Sequence, residues 1–456
     1  MAHAELLQEI GAYCRGAKIA ETTFGRLAIN DGKLISRLRD GARVTTATVD
    51  KVRDYIHSHG AATPDRAPAR NGAQAAAAAG DDHGQGNFRF FDNRQKYLLF
   101  VNTCSEKWAV AKRLELELAN IAPRPPAIRL FDAGVGDGTV LTRVLRSMHA
   151  RFPNVPFYVV GKEISLEDVR LTLEKVADRF LEHPAMVLVL TNLYYSEAPW
   201  LAPRSTAAAH SLVWKDVALS GNSAHAFEDE ITALQPFLSE NWKAGVSATS
   251  GNPVYERPVV LTIHREDHGF LLDSIRPRPG RVTADYDLVI ASQPYRARAS
   301  AEFKARKVLA PLCRALGPGG RLVGMHSRGE DPGLEIVQAI WPGENPFAND
   351  RHDILKATKQ VLGADARHLN FNAYADARSI FRYHMHTLPN EVRGSIGTST
   401  LFAAWNAAIY VAQIEEQRLA EVVKTSDYLT ATDEVLRRHG GLWFNDETFA
   451  ISRRGV

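Results

Sequence analysis

Apolar residues recur along this chain in two different rhythms. In the first sixty residues they fall at Leu6, Leu7 and Ile10, then at Phe24, Leu27, Ile29, Leu34, Ile35 and Leu38, then at Val49, Val52 and Ile56. Three-and-four spacing of this kind buries one face of each helix, so residues 1–60 are predicted to form a small helical bundle. Farther on, short apolar runs alternate with helix-length stretches: IRLFDAG (128–134), a helix over 138–151, FYVVGKE (157–163), a helix over 165–182, and MVLVLTN (186–192). The rhythm resumes with YDLVIAS (286–292), a helix over 300–316 and GGRLVGMHS (319–327), and later with FRYHMHTL (381–388) and TFAISRR (448–454). Strands separated by helices predict an α/β fold, a parallel sheet with helices on both faces.

Residues 61–87 belong to neither rhythm. They contain no aromatic or branched apolar side chain and read as a flexible linker. The predicted organisation is therefore a helical domain at 1–60, the linker, and a large domain at 88–456 with insertions at about 193–284 and 390–446. The first insertion predicts an α+β addition, with a helix at 222–242 and the strand PVVLTIH (258–264). Its aromatic residues Tyr194, Tyr195, Trp200 and Trp214 either line a pocket or form the addition's own core. The second addition, including NPFAND (345–350) and a helical stretch at 397–419 with Trp405, Ile409 and Ala412 on one face, either caps the site or supports a homodimer.

Composition narrows the classes. Among 456 residues, 55 Lys and Arg stand against 52 Asp and Glu, a net charge of +3, which excludes a general polycation for wrapping nucleic acid. The three cysteines, Cys14, Cys104 and Cys313, form no CxxC pair, which fits a reducing cytoplasm. Glu5 and Glu9 occupy positions where a signal peptide carries basic residues, and no run approaches ~18 apolar residues, so no membrane span is expected.

The candidate chemistry begins at Phe131-Asp132-Ala133-Gly134-Val135-Gly136-Asp137-Gly138-Thr139, where a predicted strand turns into a predicted helix. Glycines there let the backbone turn tightly beneath a nucleotide-like ligand. Glu163 ends the next apolar run, 25 residues beyond Gly138, where an acid can accept from ribose hydroxyls. The pair resembles the class I S-adenosylmethionine-dependent methyltransferases, whose first motif is an acid followed by GxGxG. DYDLVIASQPY and LGPGGRLVG extend the resemblance over roughly residues 95–192 and 285–456. It implies a Rossmann-like methyltransferase sheet and S-adenosyl-L-methionine as cofactor. It further implies Asp132, Gly134, Gly136, Asp137 and Gly138 around the methionine part, Glu163 on the ribose, Thr191 and Asn192 at the adenine, and Ser292 beside the cofactor.

Ser292-Gln293-Pro294-Tyr295 resembles the Asn/Asp/Ser-Pro-Pro-Tyr/Phe motif of methyltransferases that modify planar amino groups, with Gln293 in place of the first proline. Gln293, Tyr295 and His326 are the candidate catalytic residues. The structural alternative has Pro294 ending the strand, Tyr295 packing under the insertion and His326 simply solvated. His264 with His268, in a predicted turn, and His384 with His386 lack an obvious third ligand, and no metal is assigned.

TTFGRLAINDGKLISRLRDG (22–41) resembles the helix-turn-helix of phage-repressor-type regulators, which implies Lys33, Ser36 and Arg37 toward a major groove and Arg39 near phosphates. Residues 20–45 are thus a candidate DNA contact, with a protein-docking bundle as the alternative. Residues 1–60 carry nine basic and seven acidic side chains, a small surplus for DNA. Together these features predict a cytoplasmic methyltransferase acting on a small-molecule or lipid-like acceptor. The alternatives are a nucleic-acid methyltransferase and a cofactor-sensing transcription regulator without turnover.

Overall fold

The computed structural model describes residues 2–17, 21–29, 31, 34–39, 48–49, 52–53, 55–56, 94–247, 252–386, 395–425 and 427–455. The expected linker at 61–87, and Lys33, lie outside the described residues. The chain divides into two compact units, Met1–Asp82 and His83–Val456.

In the first unit, helices Ala2–Ala17, Glu21–Ile29 and Leu34–Arg39 bury Leu6, Ile10, Phe24, Leu34, Ile35 and Leu38. The rings of Tyr13, Phe24 and Tyr55 meet edge to face with centroids 5.4 to 5.9 Å apart. A side chain at Gly25 would stand 2.3 Å from the Asp31 carbonyl oxygen, so glycine lets the turn fold back on its helix. Ser36, Arg37 and Arg39 are exposed, but Arg37 is paired with Asp31 and Arg39 with Glu21.

The second unit is built on one 10-stranded sheet. Its centre is formed by β1 (Ile128–Asp132), β2 (Phe157–Lys162), β3 (Met186–Thr191), β8 (Tyr286–Ser292) and β9 (Leu316–Ser327). These run parallel in the order β3-β2-β1-β8-β9. They are apolar on both sides because helices cover both. Leu130, Val159, Leu188 and Ile290 face one layer, and Phe131, Val160, Val189 and Val289 face the other. The protein is thus an α/β, Rossmann-like doubly wound fold.

The sheet is not wholly parallel, as the strand-helix rhythm had suggested. Beyond β3 lies β7 (Val259–Arg265), antiparallel, and then β4 (Val213–Leu219). At the other edge, β12 (Trp443–Arg453) runs antiparallel to β9 and carries both β10 (Leu369–Asn372) and β11 (Ile380–His384). The first insertion therefore extends the main sheet, and only the short hairpin of β5 (Ala244–Val246) and β6 (Pro253–Tyr255) pairs apart from it among the described residues. Its predicted single helix is divided into Ala224–Thr232 and Gln235–Asn241, the second starting with proline in its first turn. Tyr195, Trp200 and Trp214 pack against the main core, whereas Tyr194 stacks on Tyr255 with centroids 4.5 Å apart. His264 is buried within β7 rather than placed in a turn.

From β1 the chain winds one way, to β2 and β3, and from β8 it winds the other way, to β9. That reversal opens a crevice at the carboxyl ends of β1 and β8, where doubly wound sheets bind ligands. Helices Arg94–Thr103 and Thr398–Val411, with Ile336, Trp405, Tyr428 and Phe444, build a third apolar cluster.

Candidate active site

At the end of β1 the backbone turns through Gly136 (φ 56°) and Gly138 (φ 78°), conformations that glycine adopts without strain, and enters helix Thr139–Arg151. A side chain at Gly138 would stand 2.8 Å from the Thr172 Cα, so this glycine also lets the next helix come close. Above Gly134 there is open space: among the described residues, no heavy atom beyond its two chain neighbours lies within 4 Å of where a Cβ would be. The loop thus leaves a cradle at Gly134 and closes at Gly138.

Asp132 is buried, and its Oδ1 accepts from the Gly134 amide at 3.2 Å. Burial pushes its carboxyl up to about 7, against the opposing pull of the Gly134 amide and Lys107. Glu163 ties the loop to β2. Its Oε2 accepts from the Gly136 amide at 2.9 Å, and its Oε1 from the amides of Ile164 and Ser165 at 2.8 and 2.9 Å. Asp137 holds the loop together: its carboxylate accepts from Thr139 Oγ1 at 2.5 Å and Lys175 Nζ at 2.7 Å.

Thr191 and Asn192, expected at the adenine, bond to the backbone where β7 begins. Thr191 Oγ1 donates to the Val259 carbonyl at 2.8 Å, while the Asn192 carboxamide donates to the Arg257 carbonyl and accepts from the Val259 amide, each at 2.8 Å. The physical reason is β7: its pairing beside β3 requires backbone partners where it begins, and these two side chains supply them.

On the other side of the crevice, Ser292 ends β8 opposite Met325, half-buried. Gln293 adopts φ 50°, and its Nε2 donates to Ser327 Oγ at 3.0 Å and to Asp446 Oδ2 at 3.3 Å. Its side-chain amide nitrogen is therefore a brace between the end of β8, β9 and β12. Tyr295 and His326 do meet. The Tyr295 hydroxyl lies 3.4 Å from His326 Nδ1, and His326 Nε2 lies 2.8 Å from Glu447 Oε1. His326 is buried rather than solvated, because β12 brings Glu447 directly opposite it.

Glu447 is buried and accepts from the Arg351 amide at 2.8 Å, from Arg351 Nη1 at 2.7 Å and from Arg328 Nη1 at 3.3 Å. Burial works against its charge, but His326 and Arg351 outweigh that and hold the carboxyl at about 2. An ionised carboxylate only accepts hydrogen bonds, so His326 carries its proton on Nε2 and leaves Nδ1 free to take one from Tyr295. Burial lowers the His326 imidazole below its usual value, against the pull of Glu447, and raises the Tyr295 phenol. Lys304 completes the cluster: it donates to the Ala297 carbonyl at 2.9 Å, lies 5.2 Å from the Tyr295 ring centre, and is pushed down to about 8 by burial.

Glu447, Arg351 and Lys304 were not among the sequence candidates. The available signal was Asp446-Glu447, two adjacent acids inside an apolar strand pattern. Helices from outside the central sheet complete the crevice. Tyr97, from helix Arg94–Thr103, lies with its hydroxyl 3.2 Å from the Cβ position of Gly136. Gln413, just beyond helix Thr398–Val411, accepts from the Ala297 amide at 3.0 Å. The second addition therefore reaches the loop after β8.

No family model and no curated protein matches the chain. Solved structures similar to it include geranyl diphosphate methyltransferase in complex with GPP and sinefungin, at 13% identity and a TM-score of 0.28, covering 75% of this chain and 78% of that one. Another is a putative sarcosine dimethylglycine methyltransferase from Galdieria sulphuraria, at 11% identity and 0.28, covering 79% and 86%. Loganic acid methyltransferase with SAH matches at 9% identity and 0.29, covering 82% and 98%. At these values the likeness assigns neither activity nor substrate, and the fold rests on the strand order described above. No described helix is long and apolar enough to cross a membrane.

Proposed function

We propose that the large unit is an S-adenosylmethionine-dependent methyltransferase acting on a small-molecule acceptor, and that the amino-terminal helices are a regulatory or docking head. The observation that carries the reading is the pairing, across one switch-point crevice, of a glycine cradle with buried acids and a buried Tyr295–His326–Glu447 chain.

The cradle fits the cofactor. Space is open at Gly134, and Asp132 and Glu163 place carboxylates beside a position suited to a cationic ligand with ribose hydroxyls. Both acids retain acceptor capacity beyond the amide bonds they make. When bound, a sulfonium supplies a methyl group already activated for transfer. The protein's work is to exclude water, orient the acceptor and remove its proton.

Tyr295 and His326 suit the last task. As the acceptor is deprotonated, its proton passes to the Tyr295 oxygen while the Tyr295 proton moves to His326 Nδ1. The resulting imidazolium is stabilised by Glu447, which Arg351 keeps ionised. Glu447 is thus a positioning residue, and Tyr295 and His326 are the proposed catalytic ones. The engagement of Gln293 with Ser327 and Asp446 favours this reading over capture of a planar nucleobase amino group.

The test is to incubate the full chain and S-adenosylmethionine labelled in its methyl group with fractionated small metabolites, and separately with DNA and RNA. The expected result is label in a small molecule, with His326→Gln lowering turnover on the order of 100-fold. Label in nucleic acid alone, or in nothing, contradicts the proposal.

A further inference from the structure

A second charged side chain in the crevice has no part in that scheme. Lys162 is the last residue of β2, 8% exposed, on the sheet face where its neighbours two and four residues back are Val160 and Tyr158. An apolar side chain would complete that face without any desolvation cost. Instead the side chain there carries an ammonium. Among the described residues, no acid lies within ion-pair distance of its Nζ and no acceptor within hydrogen-bond distance. Its recorded neighbours are the Tyr195 ring, 4.8 Å away, and the more distant charge of Glu163. Glu163 is already bonded to three backbone amides, on Gly136, Ile164 and Ser165. An ammonium drawn largely out of water without a paired charge is costly to keep, and an incoming anion relieves that cost.

The place of Lys162 says where such an anion would sit. Its carbonyl accepts from the Val135 amide at 3.2 Å, which ties it to the cradle loop. The Tyr195 ring beside its Nζ is itself fixed by a 2.8 Å hydrogen bond from the Tyr195 hydroxyl to the Pro294 carbonyl, one residue before Tyr295. The ammonium thus stands between the loop that cradles the donor and the loop that carries the proton acceptor. We infer that Lys162 anchors a terminal oxyanion of the methyl acceptor, a carboxylate or a phosphate. The acceptor is then an anionic small molecule, held by its charge at the end of β2 while its reacting group faces Tyr295. This rests on the methyltransferase reading for the identity of the ligand, but the anion site stands on Lys162 itself.

Burial lowers the Lys162 ammonium below its usual value, with Glu163 opposing, so an anion that pairs with it holds it protonated. The experiment is calorimetry on the full chain with benzoate, phenyl phosphate and the uncharged benzyl alcohol, each with and without saturating S-adenosylhomocysteine. One of the two anions is expected to bind, showing which oxyanion the site takes, and benzyl alcohol at least tenfold more weakly. Lys162→Met is expected to weaken the anion at least tenfold and to abolish its thermal stabilisation, while Lys162→Arg retains most of both. Affinity for S-adenosylhomocysteine should change less than twofold in Lys162→Met. Equal anion binding by wild type and Lys162→Met, or no anion binding by a folded wild type, overturns the inference. Failure of S-adenosylhomocysteine to bind, with anion binding still dependent on Lys162, would overturn the methyltransferase reading instead.

Discussion

The two ends of the crevice solve their problems with different materials. At β1 and β2 the work is done by backbone: glycines at positive φ, amides directed at Asp132 and Glu163, and open space at Gly134. At β8, β9 and β12 it is done by side chains buried together, with Tyr295, His326, Glu447, Arg351 and Lys304 brought from five separate segments. A backbone cradle can serve a ligand common to many reactions, because it reads general shape and charge. A side-chain cluster is tied to one reaction, because each group's protonation depends on its neighbours.

If that contrast is right, the acceptor end is the more fragile to single substitutions. Glu447→Ala leaves Arg351 and His326 buried beside an empty position and should cost about 3–5 kcal/mol, read by urea unfolding, because a buried ion pair is broken rather than replaced. A cost below that of the next substitution would break the contrast.

At the cradle end the corresponding lesion is steric. Gly138→Val combines a φ of 78° with a Cβ 2.8 Å from Thr172 and should cost roughly 2–3 kcal/mol. Cofactor affinity should fall with it, measured by calorimetry.

A smaller effect separates electrostatics from shape. In the fold Asp132 titrates at about 7, above its usual value of 3.8, so the neutral form is favoured. Its contribution to stability is fully present below pH 3.8 and is lost as pH rises through 7. A cationic ligand prefers the ionised form. Binding of S-adenosylmethionine should therefore tighten by about tenfold between pH 6 and pH 8 in the wild type and stay flat in Asp132→Asn.

The smallest expected effect on stability is Tyr295→Phe, about 0.5–1.5 kcal/mol by the same unfolding measurement, since it removes one long hydrogen bond to His326. Its effect on turnover should far exceed its effect on stability. The opposite pattern would make Tyr295 a packing residue only.

The contrast also explains what could be read from the sequence. The glycine loop and Glu163 were visible because backbone chemistry is local: glycine spacing, a strand before and a helix after. The central parallel strands were visible for the same reason, through apolar runs bounded by turns. Tyr295 was visible as a residue just past a strand and His326 as one near a strand's end, but their meeting was not. His326 depends on Glu447, 121 positions later, and only the antiparallel placement of β12 brings them together. The bonds of Thr191 and Asn192 to the start of β7 were not legible, because β7 arrives beside β3 only after a long excursion through the first insertion. Lys162 reads in the sequence as part of an apolar run, and only the fold shows it 8% exposed beside the Tyr195 ring with no ion-pair partner among the described residues.

The most direct test of the account is titration of the full chain with S-adenosylhomocysteine, alongside Gly136→Arg, whose side chain would start 3.2 Å from the Tyr97 hydroxyl at a φ of 56°. Saturable one-to-one binding by the wild type and none by the still-folded variant is the expected result. Absence of binding by a folded wild type, or equal binding by both, would contradict it.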